Sequence, residues 1–342
     1  MKEERLSRRY VLVLLLISLF FLEFGSIVGH YFSKDAREIY GIEECKLENP
    51  PKDMGRLIRR NLALAPFFFT FNTGSTIVDF VSSFVWPYHV LYGVLSTKMV
   101  YYYVDYIYVK DYELLGEKSQ IILRVGYYFP FIPPIANSVL PAEEVHGYLI
   151  RYYLPVLSPA IGHSFRDGVF LTRLCLSGRE NWISMFTVLP HGPFELSSTI
   201  FTMVATHLMT CAGFRTIYFS LKTLLRRMSL SDLKREVKRR YLLALRESKY
   251  LISWAIFLLV IAALLEGLAP IYNYLGLKYY PWAVIAGYLS YLSITLWIIY
   301  LYHKRMRFST PWEDIRTSLG NVAQFISEKI RRQRELDREP SN

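Results

Sequence analysis

Cysteine is scarce in this chain: 342 residues hold three, at Cys45, Cys175 and Cys211. No two of them form a C-x-x-C pair, and Cys211 lies within an apolar run, so no metal framework can be read from them. A disulfide between Cys45 and Cys175 is left open. Catalytic signatures are missing as well. There is no H-E-x-x-H, which argues against a zinc protease of that class, and no G-x-S-x-G, which argues against a serine hydrolase of that type. "FNTGST" has the small residues of a phosphate loop but lacks its G-K-[ST] ending. His191 and His207 are sixteen residues apart, too far to share a helical turn. The chain therefore reads as non-enzymatic, with no cofactor and no bound metal.

Long stretches of amphipathic periodicity, the mark of a soluble domain, are also lacking. The composition is 52% hydrophobic, 16% aromatic and 20% charged. The apolar residues come in solid blocks, with the charges between them. Tyr10–Gly29, Tyr250–Leu268 and Pro281–Tyr302 are each long enough to cross a hydrocarbon core of about 30 Å. The fold class expected is all-α, a polytopic transmembrane helical bundle of about six to eight spans. The first block follows the basic "RLSRR" but is too long for a signal core, contains Glu23 and has no small-x-small cleavage site, so it reads as a retained helix.

Acidic residues are outnumbered, 29 against 40 basic ones, for a net charge of +11. The excess lies in the segment 215–249 and in the tail from Lys304. Positive loops mark the cytoplasmic side of a membrane protein, so the charge is accounted for without nucleic acid. The expected partners are the lipid bilayer and proteins docking on the basic loop and tail, with a homo-oligomer left open.

Residues 1–303 are expected to form the transmembrane domain, with 215–249 a basic cytoplasmic loop. Within that loop, Ser229 or Ser231 is expected to cap an amphipathic helix lying against anionic headgroups. Arg56, Arg59 and Arg60 precede a second span starting near Asn61, and a short interfacial helix is expected to hold them. The middle is harder to divide. Segment 85–104 reads as a span, 121–140 as a broken or re-entrant hairpin, and 149–172 as a span kinked by Pro155 and Pro159. Glu143 and Glu144 read as a solvated helix start after Pro141. His146 and His163 read as interfacial or packed side chains. Residues 304–342 are expected to form a soluble, helical, cytoplasmic tail with a capping pattern at Ser309/Thr310, Pro311 and Glu313. Both termini then lie inside a multi-pass protein of the cell membrane.

One segment breaks the apolar pattern: "TVLPHGPFELSSTIF", 187–201. Pro190 and Pro193 each remove a backbone donor, and Gly192 loosens the chain between them, so no helix runs unbroken through them. If Gly192 caps a new helix, Pro193 takes its first position and Glu195 falls in the first turn, where the helix dipole favours a carboxylate. His191 sits at the break. Glu266 is a second acid in an apolar run. A lone carboxylate in hydrocarbon must be protonated, paired or water-lined, so His191, Glu195 and Glu266 are expected to share one polar centre.

"LPHGPFEL" resembles the Pro-His-Gly-x-x-Glu signature of the stage II sporulation protein M family. Here it comprises Pro190, His191, Gly192 and Glu195. "IAALLEGLAPIY" is similar to that family's penultimate span, with Glu266 followed by Pro270. Asn61 and the pair Asp167–Gly168 are weaker matches, the family often having Asn-Gly at the latter. The resemblance implies an all-helical integral membrane protein, with residues 81–148 an insertion relative to shorter members. The namesake works with cell-wall-degrading enzymes during engulfment, a role not carried over here. The reading favoured is a non-enzymatic membrane scaffold or organiser. A transporter or channel using the His/Glu cluster, and an intramembrane enzyme with a nucleophile or metal near His191, are the alternatives.

Overall fold

The computed structural model describes residues 6–31, 53–84, 86–88, 158–173, 190–269, 271 and 282–336, and these are all-helical, with no strand among them. The helices are α1 (Arg8–Tyr31), α2 (Met54–Ser82), α3 (Pro159–Arg173), α4 (Gly192–Leu224), α5 (Leu230–Glu266), α6 (Trp282–Lys304) and α7 (Pro311–Leu336), with a 3-10 turn at Met306–Phe308. Among the described residues, four helices are long and apolar enough to cross a membrane: Arg8–Ile27, Gly192–Leu224, Leu230–Glu266 and Ile285–Lys304. The second span expected from the sequence is helical, but its polar residues, Asn61, Asn72, Thr73 and Thr76 among them, leave α2 outside those four. The described α3 has 15 residues, and the expected span at 149–172 lies partly outside the described residues. The expected spans and hairpin between 89 and 157 lie outside the described residues.

α4 is the centre of the bundle. Its first two-thirds are apolar or small on every side, and Ile200, Phe201, Val204, Ala205 and Met209 are fully buried. A helix apolar all round has no face to give to solvent and takes the interior. It packs most extensively on α5, and the Ser248 hydroxyl donates across that interface to the Ala205 carbonyl at 3.1 Å.

α1 and α3 approach until their backbones touch. A Cβ added to Gly25 would stand 2.0 Å from the Phe165 carbonyl oxygen, and one added to Gly168 would stand 2.0 Å from that of Leu22. Ser18 and Ser164 share a 2.6 Å hydrogen bond in the same seam. Small residues that admit a close backbone approach are the means by which membrane helices gain packing contact. Gly168, singled out by the family pattern, thus serves helix packing.

The structure revises several local expectations. Arg56, Arg59 and Arg60 sit in the first turns of a continuous α2, not in a separate interfacial helix, because Asp53 caps it by accepting from the Arg56 N–H at 2.8 Å. Pro159 opens α3 and does not kink it, a position where its missing donor is not needed. The segment 215–249 is helical apart from a turn after Leu224. There Arg226 adopts φ 55°, Arg226 and Arg227 N–H groups donate to the Thr223 and Lys222 carbonyls, and Ser229 caps α5 by accepting from the Asp232 N–H at 3.1 Å. Charge did not force a loop, since Arg and Lys are good helix formers.

One end of the bundle is tied by a buried ion pair. Arg307, 1% exposed, donates from Nε and Nη2 to Glu247 Oε2 at 3.0 and 2.9 Å, and from Nη2 to the Leu6 carbonyl at 2.6 Å. Trp254 Nε1 donates to the carbonyls of Met306 and Ser309 at 3.0 and 2.9 Å. The start of α1, the middle of α5 and the exit of α6 therefore meet at one level, and both ends of the bundle's chain emerge on one side. Just beyond, Thr310 and Glu313 cap α7 reciprocally: the Thr310 N–H donates to Glu313 Oε2 at 2.7 Å, and the Glu313 N–H to Thr310 Oγ1 at 3.3 Å.

Three outcomes follow. Arg307→Ala strands the Glu247 charge and is expected to destabilise the protein by about 3–5 kcal/mol, whereas the paired Arg307→Met/Glu247→Leu variant recovers most of that, read by thermal unfolding in detergent. Gly168→Ala is expected to lower the unfolding midpoint through the α1–α3 seam. The Thr310 backbone holds the Glu313 carboxyl below the usual carboxylate range. Its contribution to the α7 cap is thus complete above that range and fades as pH falls through the lowered value. Hydrogen-exchange protection of the Thr310 amide should follow that course and lose it in Glu313→Gln.

Candidate functional site

α4 begins at the sequence break. His191 is its N-cap, Gly192 and Pro193 fill the first two helical positions, and Glu195 lies in the first turn. The cap falls one residue earlier than expected, because the His191 carbonyl already accepts from the Phe194 and Glu195 N–H groups at 3.0 and 3.1 Å. Pro190 occupies the turn before it, and 174–189 lie outside the described residues, so the preceding half of the break is not described.

Glu195 is the hub of the site. His191 Nε2 stands 3.9 Å from its Oε2, and Asn72 Nδ2, on α2, donates to its Oε1 at 2.9 Å. Glu266, at the end of α5, lies close enough for its charge to act on Glu195. Leu62 of α2 sits against Gly267, where a Cβ would meet the leucine side chain. Three helices thus converge: α2 supplies Asn72, α4 supplies His191 and Glu195, and α5 supplies Glu266. His191 Nδ1 is buried without a hydrogen-bond partner in the protein. A carboxyl and an imidazole at 3.9 Å can share or exchange a proton, while the Asn72 amide only donates a hydrogen bond. Among the described residues no three His, Cys, Asp or Glu side chains come together as a metal ion would require.

Of the weaker positions, Asn61 lies half-exposed on α2, Asp167 lies half-buried beside Gly168 in the α1–α3 seam, and Pro270 lies outside the described residues. The sequence reading did not single out Asn72. Its signal was present in "FNTGST", an amide within an otherwise apolar stretch, but that string was weighed only as a phosphate loop.

A second polar contact joins α1 to α6. Tyr288 and Tyr291 each donate a phenolic O–H to Glu23, at 3.0 and 2.8 Å. A carboxylate whose oxygens are both bonded is tolerable in an apolar setting. The sequence reading used Glu23 only to exclude a signal peptide.

Hydroxyls also recur along α4 at every fourth residue. Ser198, Thr202, Thr206 and Thr210 are all buried, and the hydroxyls of Ser198, Thr206 and Thr210 have no partner in the protein. The i, i+4 spacing places them on one face, in a column that starts beside Glu195. Farther along, His207 stands 3.4 Å from both Ser158 Oγ and Cys211 Sγ. His163 stacks on Trp86 with ring centres 4.8 Å apart, in keeping with a packed histidine.

Residues 165–269 match the family model described as Stage II sporulation protein M. That match covers under a third of the chain and supports its resemblance to the stage II sporulation protein M family. The matched segment runs from the middle of α3 to just past α5, so it contains His191, Glu195 and Glu266 but neither Asn72 nor Glu23. The polar centre therefore joins residues of the matched segment to a helix that lies outside it. No curated protein and no solved structure matches the chain.

Removing the amide tests the site's geometry. Asn72→Leu leaves Glu195 without its α2 donor and is expected to cost about 1–3 kcal/mol in thermal unfolding. Glu195→Gln, which keeps an acceptor in place, is expected to cost less.

Proposed function

We propose that the protein is a non-enzymatic, multi-pass scaffold of the cell membrane, with both termini cytoplasmic and the α4–α5 hairpin as its docking arm. The length of that hairpin carries the reading. At 33 and 37 residues, α4 and α5 run about 50 and 55 Å, well beyond a hydrocarbon core of about 30 Å. The surplus lies at the turn end, because the apolar run of α5 occupies nearly its last half, from Tyr250 onward. That end carries Arg226, Arg227, Lys234, Arg235 and Lys238, the positive charge typical of cytoplasmic segments. Among the charges, Leu224, Leu225 and Leu230 are 65–78% exposed. Basic residues framing exposed leucines suit an acidic, apolar partner surface. In this reading the polar centre braces α2 against α4 and α5.

The hydroxyl column favours a second reading, a pathway for protons or small solutes. It begins beside Glu195, and its unpartnered hydroxyls could serve a moving proton or solute. Ser and Thr on a central helix also serve close packing, which favours the scaffold.

Two measurements separate the readings. Arg226→Glu/Arg227→Glu should leave the unfolding midpoint unchanged while abolishing the cross-links that the wild-type chain forms with its neighbours in native membranes. Retention of the same cross-links would count against the docking arm. In proteoliposomes, Glu195→Gln should change no flux if the protein is a scaffold, whereas a flux present in wild type and lost in the variant would establish the pathway.

A further inference from the structure

We infer that α7 is an in-plane amphipathic helix that binds the anionic surface of the same membrane, not the free soluble tail its polarity suggests. The first observation is its level. The 3-10 turn that delivers α7 is held by Trp254, whose Nε1 donates to the Met306 and Ser309 carbonyls, and the Trp312 ring meets Phe257 edge-on at 6.5 Å between centres. On α5, Lys249 is the last basic residue before the apolar run. Trp254 lies about 8 Å and Phe257 about 12 Å beyond it along the helix axis. The first turn of α7 is therefore fixed beside the outer turns of a membrane-embedded helix, where a tryptophan is at home.

The second observation is the face that α7 leaves bare. Trp312, Ile315, Leu319, Phe325 and Ile326 are 39–66% exposed. At about 100° per residue they form one stripe. Arg316 falls just beyond one edge of it and Lys329 within it, between Phe325 and Ile315, while Glu313, Thr317, Gln324 and Glu328 fall on the opposite side. Basic residues at the edge of an apolar stripe or within it can snorkel their charges to headgroups while the stripe enters the acyl boundary. Water would meet five large apolar side chains on one helix, which a soluble tail would not sustain. The bilayer is the apolar phase already beside the helix, so the structure points to lipid over a partner that would have to be brought to it.

Depth-sensitive spin labelling of the full chain tests this. Single cysteines replace Leu319, Phe325, Thr317 or Gln324 in a Cys45→Ser/Cys175→Ser/Cys211→Ser background, reconstituted in phosphatidylcholine vesicles with or without phosphatidylglycerol. In the anionic vesicles, labels at 319 and 325 should collide with oxygen several-fold more, relative to a water-soluble nickel chelate, than labels at 317 and 324. That contrast should fall without phosphatidylglycerol. Equal nickel access at all four positions would overturn the proposal. So would spin–spin broadening at 319 and 325 that disappears on dilution with unlabelled protein, which would give the stripe to a second copy. A contrast indifferent to lipid charge would overturn the anionic preference.

Discussion

A carboxylate buried away from water has nothing to bond except other protein, and the cost of leaving it unpaired decides much of this bundle. Glu195 takes the Asn72 amide and the neighbourhood of His191. Glu23 takes two tyrosine hydroxyls from α6. Glu247 takes the Arg307 guanidinium. Each acid lies on one helix and its partners come at least in part from another. The polar residues therefore specify which helices adjoin, a task that apolar side chains surrounded by apolar lipid do poorly.

These contacts fall into layers. Glu247, Arg307, Trp254 and the start of α1 hold one end. Along α5, Glu266 lies nineteen residues from Glu247, about 28 Å away and near a full membrane core. The polar centre thus holds the other end. Between them the bundle relies on close packing: the central faces of α4, the glycine seam of α1 and α3, and the stacking of Phe201 on Tyr302 at 4.8 Å. Past the ion-pair end, α4 and α5 continue to the turn after Leu224.

Much of this was legible in the sequence because the apolar blocks are long and the helix punctuation is strong. The proline-glycine break announced the start of α4, and Ser229 and the Thr310/Glu313 pattern announced the caps of α5 and α7. The family resemblance was legible from "LPHGPFEL" and is supported by the match over residues 165–269. Long-range partners were not legible. Asn72 and Glu195 are 123 residues apart, Glu23 and Tyr291 are 268 apart, and no local spacing rule connects them. Within 215–249 the helix capped at Ser229 was legible, but that its residues continue the long helices α4 and α5 was not, because the basic charge interrupts the apolar pattern. The tail's stripe repeats at helical spacing, but its meaning rests on the level at which Trp254 and Phe257 hold the start of the helix.

The account's central claim is that the polar centre is a bonded junction between α2 and α4, outside and inside the family-matched segment respectively. A double-mutant cycle on Asn72→Ala and Glu195→Ala, measured by reversible unfolding in lipid-like detergent, tests it directly. The account predicts non-additive costs, with a coupling energy of about 0.5–3 kcal/mol between the two positions. Costs that simply add would contradict it, and would mean that α2 does not bond to the start of α4.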